Sequence, residues 1–354
     1  MTFELASLGW DAHFAGAYRA TGADRPGRVV RVDRGVCTAL CADGTVRASL
    51  GGGVLCVAAA DPARLPCAGD WIVVRTWPDG RVTAEAVLPR RTAIVRRTAG
   101  KDSTGQVLAA NVDTAAVVEP MDPEPDVRRI ERLLALAWES GAQPLVVLTK
   151  CDRASDPAEV ARQIAAVAPG VRVLPVSAHR GDGLAPLRPL VAAGRTLALL
   201  GRSGSGKSTL VNALAGATVM ATQTNRRVDG KGRHTTTYRA LVPIPGGGAV
   251  LDTPGIRAVG LLDAADGLDA AFSDVVDLAA GCRFADCAHA GEPGCAVRAA
   301  LESGELSAPR WESWLKLQRE VAYESRRRNA RLAAAERARW RRVERAQRAR
   351  GTRG

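Results

Sequence analysis

The segment GRSGSGKST at residues 201–209 has the residue types and spacing that bind the phosphates of a nucleotide. It fits the pattern G-x-x-x-x-G-K-[ST] between an apolar run and a helical pattern, whereas an ordinary glycine-rich turn would not explain its Lys-Ser pair. Backbone N–H groups of such a loop surround phosphate oxygens, Lys207 would reach the β- and γ-phosphates, and the Ser208 hydroxyl would bind Mg²⁺. The predicted contacts are Gly201, Arg202, Ser203, Gly204, Ser205, Gly206, Lys207, Ser208 and Thr209.

Two further segments could sense the γ-phosphate. In LDTPG, Asp252 would hold Mg²⁺ through a water molecule and the Gly255 amide would contact the γ-phosphate. The segment GKGRHTTTYRA should carry a switch threonine that closes over Mg²⁺ in the triphosphate state. Thr235, Thr236 and Thr237 compete for this role, and we favour Thr236 as the magnesium ligand.

The segment TKCD at residues 149–152 resembles the guanine-reading motif NKxD of GTPases, although a surface Lys-Asp pair is the alternative interpretation. Asp152 would accept hydrogen bonds from guanine, Lys150 would lie along the base, and the Ala178 amide in the later segment VSA would meet the guanine oxygen. The predicted guanine contacts are Thr149, Lys150, Cys151, Asp152, Ser177 and Ala178. Both motifs precede the phosphate loop instead of following it, so their order predicts a circularly permuted GTPase sheet.

The residue after DTPG is Ile256, where a glutamine that orients the attacking water would be expected. Isoleucine has no polar group for this task, so hydrolysis should be slow unless another residue or a partner contributes. His234, beside the switch threonines, is our candidate, and a solvent-exposed loop histidine is the alternative interpretation. The predicted catalytic residues are His234, Thr236 and Lys207.

The segment CRFADCAHAGEPGC combines three cysteines and a histidine at the spacing of metal ligands. Three thiolates and one imidazole suit a closed, tetrahedral, structural Zn²⁺ site, with buried free thiols as the alternative. The predicted zinc ligands are Cys282, Cys287, His289 and Cys295. The remaining cysteines have no ligand-like partners, and we interpret them as small apolar residues.

A sheet is needed to position these motifs. From Val107 apolar strands alternate with helical patterns, which predicts a parallel, doubly wound α/β sheet with each motif at a strand end. From Gly27 to Arg91, short β-rich segments and turn signals such as Gly51-Gly52-Gly53 predict a small barrel, with an OB-fold favoured. We predict an OB-fold at residues 1–92, a circularly permuted P-loop GTPase domain at 93–262, a zinc-binding helical domain at 263–318 and an Arg-rich helix or tail at 319–354.

The formal net charge of +12 is concentrated at the C-terminal end of the sequence. Residues 326–354 contain twelve arginines against Glu336 and Glu344, which favours an RNA partner over a solvated charged helix. We find no apolar run that could span a bilayer and no features of a secretory signal at the start, so we expect the cytoplasm and no membrane contact. Since nothing suggests a dimer interface, we expect a monomer.

Together, TKCD, SA, GRSGSGKST, GRHTTT, DTPG and the Cys/His cluster resemble the family of small-ribosomal-subunit-dependent GTPases known as RsgA or YjeQ. The resemblance covers nearly the whole chain. It implies late maturation of the small (30S) ribosomal subunit, GTP hydrolysis to GDP and phosphate that is stimulated by this rRNA-containing subunit, and a water-activating role for His234. Thr149 replaces the general asparagine, a variation that we expect to remove a supporting hydrogen bond.

Two other functions stay open. The chain could be an RNA-binding GTPase that acts on another RNA such as tRNA, although cofactor motifs for tRNA modification are not found. It could also be an RNA-binding module whose nucleotide site is a conformational latch with little turnover, an interpretation that Ile256 supports.

Overall fold

A five-stranded barrel, a six-stranded sheet and a group of helices follow one another along the chain. The computed structural model describes residues 2–19, 24–97, 105–220, 240–253 and 264–326, together with Ala330 and Ala334. In these parts of the chain no helix is both long and apolar enough to cross a membrane.

The barrel is closed, with strand order β1-β2-β3-β5-β4. Its strands are β1 (Asp24–Asp33), β2 (Val36–Cys41), β3 (Gly44–Leu50), β4 (Trp71–Thr76) and β5 (Val82–Val87). Strand β1 closes the barrel because it pairs antiparallel with both β2 and β4. Small and β-branched side chains such as Val29, Cys37 and Ile72 fill the interior. The predicted β-barrel is therefore confirmed.

Two short helices accompany the barrel. Helix α1 (Ala12–Ala17) begins after Asp11, whose side chain accepts hydrogen bonds from the His13 and Phe14 amides. Helix α2 (Gly52–Ala60) starts within the glycine run that we interpreted as a turn. A Cβ at Gly51 would lie 2.9 Å from the Ala84 carbonyl oxygen, so close approach to β5 explains that glycine. Cys56 is exposed on α2. We had interpreted it as a small apolar residue, and its exposed position does not agree with that interpretation.

The six-stranded sheet has the order β10-β9-β8-β11-β13-β12. Its strands are β8 (Thr114–Pro120), β9 (Gln143–Thr149), β10 (Arg172–Val176), β11 (Thr196–Leu200), β12 (Ala240–Pro243) and β13 (Ala249–Asp252). All neighbouring pairs are parallel except β12 and β13, so the predicted parallel α/β sheet is confirmed. We did not predict the antiparallel edge strand β12, nor the two-stranded sheet of β6 (Ala93–Arg97) and β7 (Gly105–Ala110).

Three helices of the sheet domain are α3 (Val127–Glu139), α4 (Pro157–Ala166) and α5 (Lys207–Ala215). The sequence defines α3 closely, because the Asp126 side chain caps its first turn and Gly141 adopts a positive φ of 78° just beyond its end. Its apolar stripe, which includes Ile130, Leu133 and Leu134, packs into the main core.

The C-terminal helices pack against α3. They are α6 (Ala265–Ala271), α7 (Ser273–Ala280), α8 (Ala296–Ser303) and a helix at residues 308–326 that we call α9. Helix α9 contributes Trp314 and Leu317 to the core that contains α3. It also runs through residue 318, where we placed a domain boundary from the sequence.

A buried charge network joins α9 to α3. Arg310 is 3% exposed, and its Nη1 donates to Glu131 Oε1 at 2.9 Å while its Nη2 donates to Asp274 Oδ1 at 2.7 Å. The guanidinium also lies 4.1 Å from the ring centre of Phe272, and the Ser313 hydroxyl donates to Glu131. Arg310 therefore neutralises two carboxylates from different elements at the centre of this interface.

We predict that Arg310→Ala lowers the free energy of unfolding by about 3–5 kcal/mol, because it leaves the Glu131 carboxylate buried without its cation. Urea denaturation followed by tryptophan fluorescence measures the change. The matched control is Arg128→Ala, since the Arg128–Glu312 pair joins the same two helices but is exposed, and it should change stability by less than about 1 kcal/mol. Equal effects of the two substitutions would contradict a special role for the buried network.

Candidate nucleotide and metal sites

The carboxyl ends of neighbouring parallel strands bring the predicted nucleotide contacts together. Strand β9 ends at Thr149, β10 leads into Ser177, β11 leads into Gly201, and β13 ends at Asp252. Strand β8 lies between β9 and β11, so the guanine-reading segments fall on one side of it and the phosphate-binding segments on the other. Ligands of open α/β sheets bind at this edge.

The phosphate loop has the backbone geometry that anion binding requires. A Cβ at Gly201 would lie 2.3 Å from the Val118 carbonyl oxygen, so only glycine fits where the loop leaves β11. Gly204 and Gly206 adopt positive φ angles of 83° and 91°, and α5 begins at the next residue. The turn therefore directs the free N–H groups at the start of α5 toward the sheet edge.

Lys207 is buried over this loop. Its Nζ donates to the carbonyl oxygens of Gly201 and Arg202, both at 2.9 Å. Burial lowers the pKa of Lys207, and the nearby carboxylates of Asp252 and Glu119 oppose that shift. The ammonium group is thus held at the loop by two neutral oxygens and two negative neighbours.

Two buried oxygens at this edge lack a hydrogen-bond partner among the described residues, Asp252 Oδ1 and Ser205 Oγ. Burial raises the pKa of Asp252, and Lys207 partly opposes that shift. A buried polar atom without a partner is unfavourable unless a ligand satisfies it. Both oxygens therefore suit a site that takes up a phosphate and its metal ion.

Thr149 connects the guanine-reading segment to the phosphate loop. Its hydroxyl donates to the Ser205 carbonyl oxygen at 2.6 Å, and the side chain is buried. A Cβ at Gly206 would lie 3.2 Å from Thr149 Oγ1, which shows how closely the two segments pack. Our expectation that threonine at this position lacks a supporting hydrogen bond is therefore wrong.

The predicted guanine contacts lie around two turns. Lys150 adopts a positive φ of 58°, and its Nζ donates to the Asp122 carbonyl oxygen at 2.8 Å. A hydrogen bond with the Ser177 side chain lowers the pKa of Asp152. This hydrogen bond joins the segment TKCD to the segment VSA. Burial raises the pKa of the thiol of Cys151, the residue between Lys150 and Asp152. Asp122 lies two residues beyond β8. Sequence reasoning missed it because its contact with Lys150 is made by its backbone oxygen, which a sequence pattern does not reveal.

Of the predicted catalytic residues, Lys207 lies in the phosphate loop, whereas the other two and the switch positions are not among the residues that the structure describes. His234, Thr235, Thr236, Thr237, Gly255 and Ile256 lie outside the described residues. The same holds for most of the Arg-rich tail, of which the structure describes the helical residues up to 326 and two later positions.

The four predicted metal ligands cluster around one point. Their ligand atoms lie within 4.8 Å of one another, so Cys282, Cys287, His289 and Cys295 could hold one metal ion. His289 Nδ1 lies 3.5 Å from the Sγ atoms of both Cys282 and Cys295, which are 4.0 Å apart. The Trp311 ring packs edge-on against His289 at 5.6 Å, so the cluster also contacts α9.

Glu292 organises the loop that carries His289. Its carboxylate accepts hydrogen bonds from the amides of Ala288 at 2.9 Å, Ala290 at 2.8 Å and Gly291 at 3.0 Å. Hydrogen bonds from its own amide and from those of Gly291 and Ala288 lower the pKa of Glu292 to about 2. His289 has a positive φ of 58°, a conformation that this loop must stabilise. Sequence reasoning missed Glu292 because structural thiolate sites take cysteine and histidine ligands, and a carboxylate is not among them.

Comparison with known proteins agrees with this geometry. The family model for the RsgA GTPase matches residues 87–262. The "Small ribosomal subunit biogenesis GTPase RsgA" of Streptomyces coelicolor is 54% identical over 321 residues, which cover 89% of this chain and 86% of that protein. The protein of the same name from Opitutus terrae is 45% identical over 358 residues, with 98% and 97% covered.

Two solved structures share the fold. The crystal structure of YjeQ from Thermotoga maritima aligns with a TM-score of 0.60 and 26% identity, over 84% of this chain and 99% of that one. The structure of YloQ, described as a circularly permuted GTPase, aligns with a TM-score of 0.56 and 23% identity, over 86% of this chain and 98% of that one.

The fold and the order of its motifs define a circularly permuted GTPase with an N-terminal barrel and a C-terminal helical region. The identity to curated relatives over most of their length specifies the family. The chain belongs to the RsgA GTPases and is a hydrolase that acts on GTP.

We predict that Thr149→Val weakens GDP binding by about 1–2 kcal/mol, or roughly five- to thirtyfold, because the Ser205 carbonyl oxygen loses its buried donor. Titration with a fluorescent GDP analogue measures the affinity. Thr149→Ser keeps the hydroxyl and should bind within about twofold of the unmodified chain. If valine and serine behave alike, the hydrogen bond does not support the loop.

We predict that Glu292→Gln speeds metal loss to a chelator several-fold, since the neutral amide is a weaker acceptor for three loop amides. Release into a chromogenic chelator, followed by absorbance, gives the rate. Glu302→Gln serves as the control because that carboxylate is exposed and pairs with Arg298 outside the loop. An unchanged rate of metal loss for Glu292→Gln would show that the Cys/His ligands hold the loop without the Glu292 carboxylate.

Proposed function

We propose that this chain is a monomeric, cytoplasmic GTPase that hydrolyses GTP on the small (30S) ribosomal subunit late in its maturation, and that the rRNA-containing subunit stimulates hydrolysis. The observation that carries the proposal is the convergence of TKCD, VSA, the phosphate loop and Asp252 at one sheet edge. The names of the curated relatives, all small ribosomal subunit biogenesis GTPases, supply the subunit as the partner.

GTP would bind across strand β8. Asp152 would accept hydrogen bonds from the guanine, with Lys150 along the base and Ser177 and Ala178 at its far side. The lowered pKa of Asp152 supports this role, because a carboxylate that stays ionised remains an acceptor. Guanine would thus be distinguished from adenine by donors that adenine does not present to this carboxylate.

The triphosphate would occupy the loop at residues 201–209. Lys207 would exchange the carbonyl oxygens of Gly201 and Arg202 for phosphate oxygens, which are charged and therefore stronger acceptors. Ser205 Oγ, which lacks a partner among the described residues, would donate to a phosphate oxygen. Asp252 Oδ1, which also lacks one there, would accept from water bound to Mg²⁺. Bound Mg²⁺ would neutralise charge that develops on the phosphates, and Ser208, Thr236 and Asp252 are its proposed holders.

The attacking water would be positioned by His234. Ile256 occupies the place of the usual glutamine, and its side chain has no polar group that could orient a water molecule. We propose that contact with the subunit brings His234 into reach of the water. Hydrolysis would then be slow without the partner and faster with it.

The Cys/His cluster would hold one structural Zn²⁺. In a tetrahedral site with Zn–S bonds of about 2.3 Å, sulfur atoms lie about 3.8 Å apart and a sulfur and a nitrogen somewhat closer. The observed separations of 4.0 Å between thiols and 3.5 Å from thiol to imidazole fit these values. Four protein ligands close such a site, so the zinc would fix the α7–α8 connection against α9.

The test is GTP turnover by the purified chain, with and without purified small ribosomal subunits. We predict stimulation of roughly a hundredfold or more by the subunits, and a loss of about the same size in the stimulated rate on His234→Ala, with GDP affinity unchanged. The matched control is His13→Ala, an exposed histidine in α1.

Equal turnover with and without subunits would remove the ribosome from the proposal and leave a GTPase that acts elsewhere, for example on another RNA. Negligible turnover under both conditions, with GTP still bound, would favour a nucleotide-latched RNA-binding module. Full stimulation of the His234→Ala variant would show that another group positions the water.

A further inference from the structure

A cavity of about 200 Å³ lies where the N-terminal segment, the barrel and the beginning of the six-stranded sheet meet. At about 30 Å³ for each water molecule, this space could hold roughly six waters or a small ligand. Its walls include Asn111 and Asp113 before β8 and Thr196 at the start of β11. The cavity is therefore at the opposite ends of these strands from the phosphate loop.

The inner wall of the cavity is formed by Arg28 of β1, which is 1% exposed. Its Nη1 donates to the Leu8 carbonyl oxygen at 3.0 Å. Its Nη2 donates to the Asn111 carbonyl oxygen at 3.0 Å and to Thr196 Oγ1 at 3.3 Å. The guanidinium also lies 5.2 Å from the ring centre of Trp71. All of these partners are neutral.

The charge of Arg28 has no direct counter-ion among the described residues, where its Nε atom also lacks a hydrogen-bond partner. Asp70 is paired with Arg90 at 2.7 Å. Asp113 accepts from the Thr196 amide at 2.7 Å and pairs with Arg195 at 3.3 Å. Burial lowers the pKa of Arg28 to about 10, as expected for a cation without a contacting carboxylate.

A second arginine lies at the mouth of the cavity. Arg91 is exposed, stacks over the Phe14 ring at 4.4 Å and pairs with Asp11. Two arginines thus line one small space, one of them buried and the other exposed. A buried cation is strongly unfavourable unless an anion or a set of hydrogen bonds compensates it.

We propose that this cavity binds a small oxyanion, a phosphate-like ion or a small carboxylate, whose charge neutralises Arg28. Guanidinium donors match the oxygens of such ligands, and small-molecule sites occur preferentially at junctions between domains. Arg28 belongs to the barrel, whereas Asn111 and Thr196 belong to the sheet domain. The bound anion therefore strengthens the junction between the two parts of the chain.

The test is equilibrium dialysis of the full chain with radiolabelled inorganic phosphate and, in parallel experiments, with radiolabelled sulfate and radiolabelled acetate. GDP and Mg²⁺ are kept saturating so that the phosphate loop is filled and does not bind the probe. We predict one saturable site, weakened at least fivefold by Arg28→Met and by Arg91→Gln. The control, Arg188→Gln, removes the same charge from an exposed position away from the cavity and should leave the affinity unchanged.

Binding of phosphate and sulfate without acetate assigns a tetrahedral oxyanion, and binding of acetate assigns a carboxylate. Absence of saturable binding of all three anions overturns the proposal, as does binding that neither substitution weakens. If Arg28→Met does not fold, Arg91→Glu replaces it, and the reversed charge at the mouth should weaken binding more than Arg91→Gln. GTP turnover is not a readout, so this proposal and the proposed function fail independently.

Discussion

The nucleotide site depends on the pairing of β8 with β9 on one side and β11 on the other. These two parallel ladders fix how far the guanine-reading turn lies from the phosphate loop, because Val117 pairs with Val146 in β9 and with Leu200 in β11. The site requires these neighbours in space, and it does not require them in any order along the chain. A permuted sequence therefore preserves the site as long as the connecting segments reach.

Buried hydrogen bonds then set details that strand pairing leaves open. The Thr149 hydroxyl joins the loop at Ser205 across the gap between β9 and β11, and Arg310 joins three elements in the C-terminal interface. Such contacts add little net free energy when both partners are present, but they are strongly unfavourable to break in a buried position. They therefore specify one arrangement of the segments, whereas apolar packing alone would allow the segments to shift relative to one another.

The parts that could be predicted from the sequence are those whose cause is local. Apolar runs identified the five parallel strands of the sheet, and the spacing of glycines, Lys207 and the cysteines identified the phosphate loop and the Cys/His cluster. Helix α2 was missed because its glycine run also fits a turn. The contact with Ala84 that explains Gly51 involves a residue far away in the sequence. Arg310 was missed for the same reason, since its neighbours suggest an ordinary surface helix and Glu131 lies far away along the chain.

Helix α3 is connected both to the strand beside the phosphate loop and, through α9, to the Cys/His cluster. Near its start, Arg129 makes a two-pronged ion pair with Glu119 at the end of β8, beside the phosphate loop. Two residues further along α3, Glu131 accepts a hydrogen bond from Arg310 of α9. The next residue of α9 is Trp311, which packs against His289. Loss of the metal would loosen the loop at His289 and with it the packing of Trp311. The first effect expected is thus a weaker contact between α3 and α9, because the Arg129–Glu119 pair does not involve α9.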